Sequence, residues 1–72
     1  MKYRSKVDIV YDSLIEFIVG GKYSQGDRLV ISHIAKNFGI SETPVREAIR
    51  RLESEGYVKI NANSGAVIDC LD

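Results

Sequence analysis

The apolar residues Val45, Ala48, Ile49 and Leu52 fall at i, i+3, i+4 and i+7, which is the stripe of an amphipathic helix. The stretch from Gly39 to Gly56 that carries them constrains this chain more than any other. At about 100° per residue, Thr43, Glu47, Arg50 and Ser54 lie roughly opposite the stripe, and Arg46 lies on its flank. Gly56 ends the helix as a left-handed cap. Its start has two candidates. Pro44 pushes Thr43 away from α geometry, which argues for Thr43 as N-cap. The short turn Gly39-Ile40-Ser41, of the length that joins two packed helices, argues for Ser41. We favour Ser41, with Pro44 inside the first turn, where its missing N–H does no harm.

A first amphipathic helix is expected from about Lys6 to Val19. Val7, Val10, Tyr11, Leu14, Ile15 and Ile18 recur at helical spacing, and Asp8, Asp12 and Glu16 form the opposite row. Gly20-Gly21 stops it. Ile9 and Phe17 widen its apolar face, either to complete the core or to meet a second partner. Residues 1–5 are polar and expected to fray. Gly26-Asp27 fits a tight turn, and Arg28-Leu29-Val30 a very short strand. A second helix follows from about Ile31 to Phe38, with Ile34, Ala35 and Phe38 inward, and Gly39 breaks it. After Gly56 the period changes to two. Tyr57 to Asn61 and Ala66 to Cys70 alternate around the turn Ala62-Asn63-Ser64-Gly65, which is a β-hairpin. The fold class expected is mainly α with a small β-hairpin.

The 72 residues suffice for one domain, 1–72, with a thin core. No apolar run approaches the roughly 20 residues of a membrane helix, so no membrane partner is expected. Asp8 and Asp12 interrupt any signal-peptide core, and a lone cysteine, Cys70, fits a reducing cytoplasm. His33 and Cys70 have no partners at metal-ligand or catalytic spacing. There is no Gly-x-x-x-x-Gly-Lys loop. Glu42, Glu47, Glu53 and Glu55 sit among arginines, as in helix ion pairs. Neither an enzyme nor a bound cofactor is expected.

The formal net charge is zero, which argues against binding polyanions by bulk charge alone. The basic residues are clustered, however: Lys2, Arg4 and Lys6 at the start, and Arg46, Arg50 and Arg51 on the central helix. A pair of helices joined by a short turn, the second with arginines outward, is how a reader of the DNA major groove is built, although many three-helix cores share the pattern. Arginine can bridge O6 and N7 of guanine. Glu42 suits a helix N-terminus through the dipole and can also accept from cytosine N4. The alternative is a module that binds protein through the aromatic residues of the first helix.

The run from Ile40 to Val58, with Thr43-Pro44-Val45-Arg46-Glu47-Ala48 at its centre, resembles the signature of GntR-type transcription regulators. Gly26-Asp27-Arg28-Leu29, Ile34-Ala35-Lys36-Asn37-Phe38-Gly39 and Gly65-Ala66-Val67 match the same pattern, so the likeness runs from about Val7 to Ile68. Its details look most like the FadR-like branch. The resemblance implies a winged helix-turn-helix, with the recognition helix at about 42–55 and the wing at about 57–70. It implies double-stranded operator DNA as partner, bound by a homodimer. It also implies a C-terminal domain that senses a small molecule and dimerises. That domain is absent from these residues, so a fragment or a stand-alone reader is expected. The family's DNA-contacting positions fall on Ser41, Glu42, Thr43 and Arg46, with Arg50 beside them and Asn63, Ser64 and Gly65 in the wing. The sequence departs from the pattern in having glutamate at 42, where arginine is frequent, and in lacking the usual basic residues in the wing stretch Asn61-Ala62-Asn63-Ser64-Gly65. Both lower the expected sequence-independent affinity. It also has Ser24-Gln25 where proline often precedes Gly26.

Overall fold

A capping box starts α1 (Lys6–Val19): the Asp8 amide donates to Ser5 Oγ at 3.1 Å and the Ser5 amide to Asp8 Oδ2 at 3.3 Å. The computed structural model describes residues 5–61 and 65–69. Ser5 is therefore an ordered cap, where a frayed end was expected. The remaining elements are β1 (Arg28–Leu29), α2 (Ile31–Phe38), α3 (Glu42–Ser54), β2 (Val58–Asn61) and β3 (Gly65–Ile68).

All three helices stop in the same way. A glycine reverses the chain, and the amide after it reaches back to a carbonyl five residues earlier. Lys22 N donates to Phe17 O at 2.8 Å, Ile40 N to Ala35 O at 3.0 Å, and Tyr57 N to Leu52 O at 3.0 Å. At the end of α3 the reversal is at Gly56, whose φ is +88°. This is the left-handed conformation that L side chains resist.

The strands form one antiparallel sheet in the order β1-β3-β2. Val58 pairs with Ile68 and Ile60 with Ala66, and on the other edge Leu29 also pairs with Ala66. The expected hairpin is therefore widened by β1, which lies far away in sequence. Gly65, expected in the turn, is the first residue of β3, opposite Asn61. The turn residues Ala62, Asn63 and Ser64, and Cys70, lie outside the described residues.

One apolar core joins these parts. α1 contributes Val10, Leu14 and Ile18; α3 contributes Val45, Ala48, Ile49 and Leu52; α2 contributes Ile34 and Ala35. The sheet closes it with Leu29, Val58, Ala66 and Ile68. Phe17 packs against the core, as does the half-buried Phe38, whereas Ile9 is exposed. The fold is thus mainly α with a small sheet: a three-helix core and a wing.

Candidate nucleic-acid interface

α2, the turn Gly39-Ile40-Ser41 and α3 form the two-helix unit. Ser41 is the N-cap of α3 in extended geometry, with φ −73° and ψ 171°, and its side chain makes no capping hydrogen bond. Its hydroxyl is left for another acceptor or donor. Glu42 opens the helix, where its charge meets the positive end of the dipole. Pro44 lies in the first turn, where no intrahelical N–H bond is due.

The burial of α3 divides cleanly. Val45, Ala48 and Leu52 are fully buried and Ile49 is 1% exposed. Ser41, Thr43, Arg46, Glu47 and Arg50 are exposed, and Glu42 is half-buried. Arg46 Nη2 lies 3.0 Å from Glu42 Oε1, an ion pair one turn apart whose side chains are 56% and 44% exposed. Such a pair contributes a few tenths of a kcal/mol, so Arg46 can leave it at little cost.

Arg51 faces the other way. Its guanidinium stands 4.1 Å from the centre of the Tyr11 ring, and Nη1 lies 3.2 Å from Asp8 Oδ1. The Tyr11 hydroxyl donates to Glu55 Oε1. Both the cation over the ring and the ion pair tie α3 to α1. The hydrogen bond to Glu55 holds the Tyr11 proton and raises its pKa. The Ser5 amide and hydroxyl, and then Arg51, lower that of Asp8. This clamp escaped the sequence reading, which grouped Arg51 with Arg46 and Arg50. The signal was there: Asp8 and Tyr11 share one face of α1, and Arg51, three positions after the buried Ala48, lies on the flank of the apolar stripe opposite to Arg46.

The wing stands on a hydrogen-bonded base. Gly26 N donates to Ile68 O at 2.8 Å, Ile68 N to Asp27 O at 2.7 Å, and Asp69 N to Tyr57 O at 3.0 Å. Gln25 Nε2 donates to Asp69 Oδ1 at 2.8 Å, and Lys59 Nζ lies 4.0 Å from Asp69 Oδ2. Of the wing residues singled out, Gly65 is exposed beside α3, and Asn63 and Ser64 lie outside the described residues. A cleft of about 180 Å³ separates α3 from the wing. Arg46 and Arg50 line it, with Ile31, Ile49, Ile60 and Ala66.

A family model described as bacterial regulatory proteins, gntR family, matches residues 6–68. Over 61 residues the chain is 38% identical to YdhC, an uncharacterized HTH-type transcriptional regulator of Bacillus subtilis, covering 85% of this chain and 27% of that protein. The chain thus spans about a quarter of that relative's length. Its fold superposes on a GntR family transcriptional regulator from Pseudomonas syringae pv. tomato with a TM-score of 0.84 and 32% identity, over 92% of this chain and 28% of that one. It also superposes on AraR(DBD), solved in complex with operator ORR3, with a TM-score of 0.86 over 93% of this chain and 82% of that one. Identity there is 22%, so that likeness is one of fold. The chain belongs to the gntR family of bacterial regulatory proteins, and its helices and sheet form a winged helix-turn-helix.

Proposed function

We propose that this domain reads operator DNA as part of a bacterial transcription regulator, with α3 in the major groove and the wing against the neighbouring backbone. The observation that carries this is the division of α3: one face sealed in the core, the other bearing Ser41, Thr43, Arg46 and Arg50 in solvent. The operator complex of the similarly folded AraR domain supports it. Ser41 and Thr43 suit phosphate contacts at the first turn. Glu42 suits the helix dipole and a cytosine N4 within reach. Arg46, near the leading end of the helix, reads guanine once it leaves Glu42. Asn63, Ser64 and Gly65 carry the wing to the backbone. In a full-length protein we expect two copies of this domain to sit on a near-palindrome, paired and regulated through a small-molecule-sensing domain. The working compartment is the cytoplasm, where a bacterial chromosome lies.

The test is Arg46→Ala. Affinity should be measured at fixed salt for a duplex selected by the wild-type chain from a random library, and for a random-sequence duplex. A loss of roughly 1–3 kcal/mol on the selected duplex, smaller on the random one, is expected with normal melting temperature. An unchanged ratio in a stable variant removes Arg46 from the reading surface. Wild-type chain that binds no duplex in a salt-dependent way defeats the DNA reading altogether and favours a protein partner.

A further inference from the structure

We infer that the cleft between α3 and the wing seats one sugar–phosphate unit of DNA, with Arg50 gripping the phosphate and Ile60 supporting the sugar; this rests on the duplex-binding reading above. Side chains alternate along a strand, so Ile60 shares a sheet face with Val58. That face is the core face: Val58 and Ala66 are 3% exposed and Ile68 is 1% exposed. Ile60, paired with Ala66, is nevertheless 41% exposed. The inner face of the sheet therefore runs past the end of the helical layer. Beyond that end lies the cleft, with Ile31, Ile49, Ile60 and Ala66 as its apolar surface and the arginines of α3 beside it.

Position and chemistry choose the occupant. A helix in the major groove and a wing on its flank straddle one strand of the duplex. That strand's backbone must pass between them. A deoxyribose offers a C–H surface to isoleucine, and its phosphate offers an anion to a guanidinium. In the DNA-free domain Arg46 pairs with Glu42, Arg51 with Asp8, and Lys59 lies beside Asp69, and Arg46 on release from Glu42 is assigned to a base edge. Arg50 is exposed at the cleft and makes no hydrogen bond or ion pair among the described residues. It is thus a backbone ligand, distinct in role from the base reader Arg46.

The experiment compares the wild-type chain with Arg50→Gln and Ile60→Ser on the selected and the random-sequence duplex, across salt. For Arg50→Gln, affinity should fall by the same factor on both duplexes, roughly tenfold. The slope of log affinity against log salt should shrink by about one. Ile60→Ser should weaken both duplexes equally and leave the slope unchanged. A methylphosphonate scan of the selected duplex should reveal one position whose neutralisation hurts wild type and not Arg50→Gln. A changed base preference in Arg50→Gln overturns the inference, as does an unchanged slope with an unchanged scan. Both results leave duplex binding standing. Wild-type chain without salt-dependent binding to either duplex overturns the reading beneath and the inference with it.

Discussion

Arg46, Arg50 and Arg51 share one helix and have three environments. Arg51 is the structural one. Its stacking on Tyr11 is worth about 0.5–1 kcal/mol in so exposed a setting. Arg51→Ala should therefore lower the melting temperature by several degrees, since about 1 kcal/mol moves a domain of this size by roughly 4–8 °C. Arg46→Ala, losing only a one-turn ion pair, should melt with wild type. Equal melting of both variants would mean that the clamp does not hold α1 to α3. Asp8 makes the cap of α1, and to a lesser degree the clamp, pH-dependent. Its folded pKa is lowered, by Ser5 first and also by Arg51. Its contribution is therefore present above the ordinary carboxylate range and lost as pH falls through the folded value. The melting difference between wild type and Asp8→Ala should be largest near neutrality and shrink below pH 4 or so. A difference that stays constant down to pH 2–3 would contradict this. None of this was legible from charge counting. The apolar stripe tells which side of α3 is buried; it does not tell which arginine meets an aromatic ring on another helix.

Among the elements, the helices were the most legible, and for a local reason. Their apolar periodicity and terminal glycines act within one turn, so Lys6–Val19, Ile31–Phe38 and the start of α3 at Glu42 follow from nearby residues. The capping box of Ser5 and Asp8 was equally local and was overlooked. The sheet was less legible. β1 has two residues, too few for a pattern, and gains its identity from β3. The alternation of β2 marks Ile60 as inward, which is true of its face and false of its burial, because burial depends on how far the helices extend. Among the proposed DNA contacts, the exposure of Thr43, Arg46 and Arg50 followed from the helical wheel; the engagement of Arg46 by Glu42 followed from their spacing of four. The terminal glycine of α3 offers a test at this scale. At Gly56 a Cβ meets nothing within 4 Å, so the penalty for Gly56→Ala is that of the left-handed backbone alone, about 1–2 kcal/mol. Thermal unfolding should register that loss. A variant as stable as wild type would show that the chain leaves α3 by another conformation.

At the scale of the whole molecule, the longest extent is 34 Å, close to one turn of duplex. In the pairing proposed above, two copies of this length would fit successive half-sites on one face of DNA. Among the described residues, the apolar core is already covered within the chain. The isolated chain should therefore sediment as a monomer or a weak dimer at tens of micromolar; a tight, salt-resistant dimer would show that two copies bind each other through their exposed surfaces. A net charge of zero also predicts modest affinity for random duplex, because binding must come from the local arrangement of cations.

The short strand β1 has a consequence at this same scale. It belongs to the link between α1 and α2, yet it is stitched to β3 and, through Gly26 and Asp27, to the base of the wing. The wing and the two-helix unit are therefore jaws of a single calliper, locked at the hinge by paired backbone. Those backbone hydrogen bonds hold the gap between the jaws in the DNA-free domain. A duplex whose backbone is spaced to that gap enters without deformation, and one that is too wide or too narrow must bend to fit. In the proposed DNA reading, a domain held in this way would gauge the width of a groove as well as the edges of its bases, and a two-residue strand would set the scale.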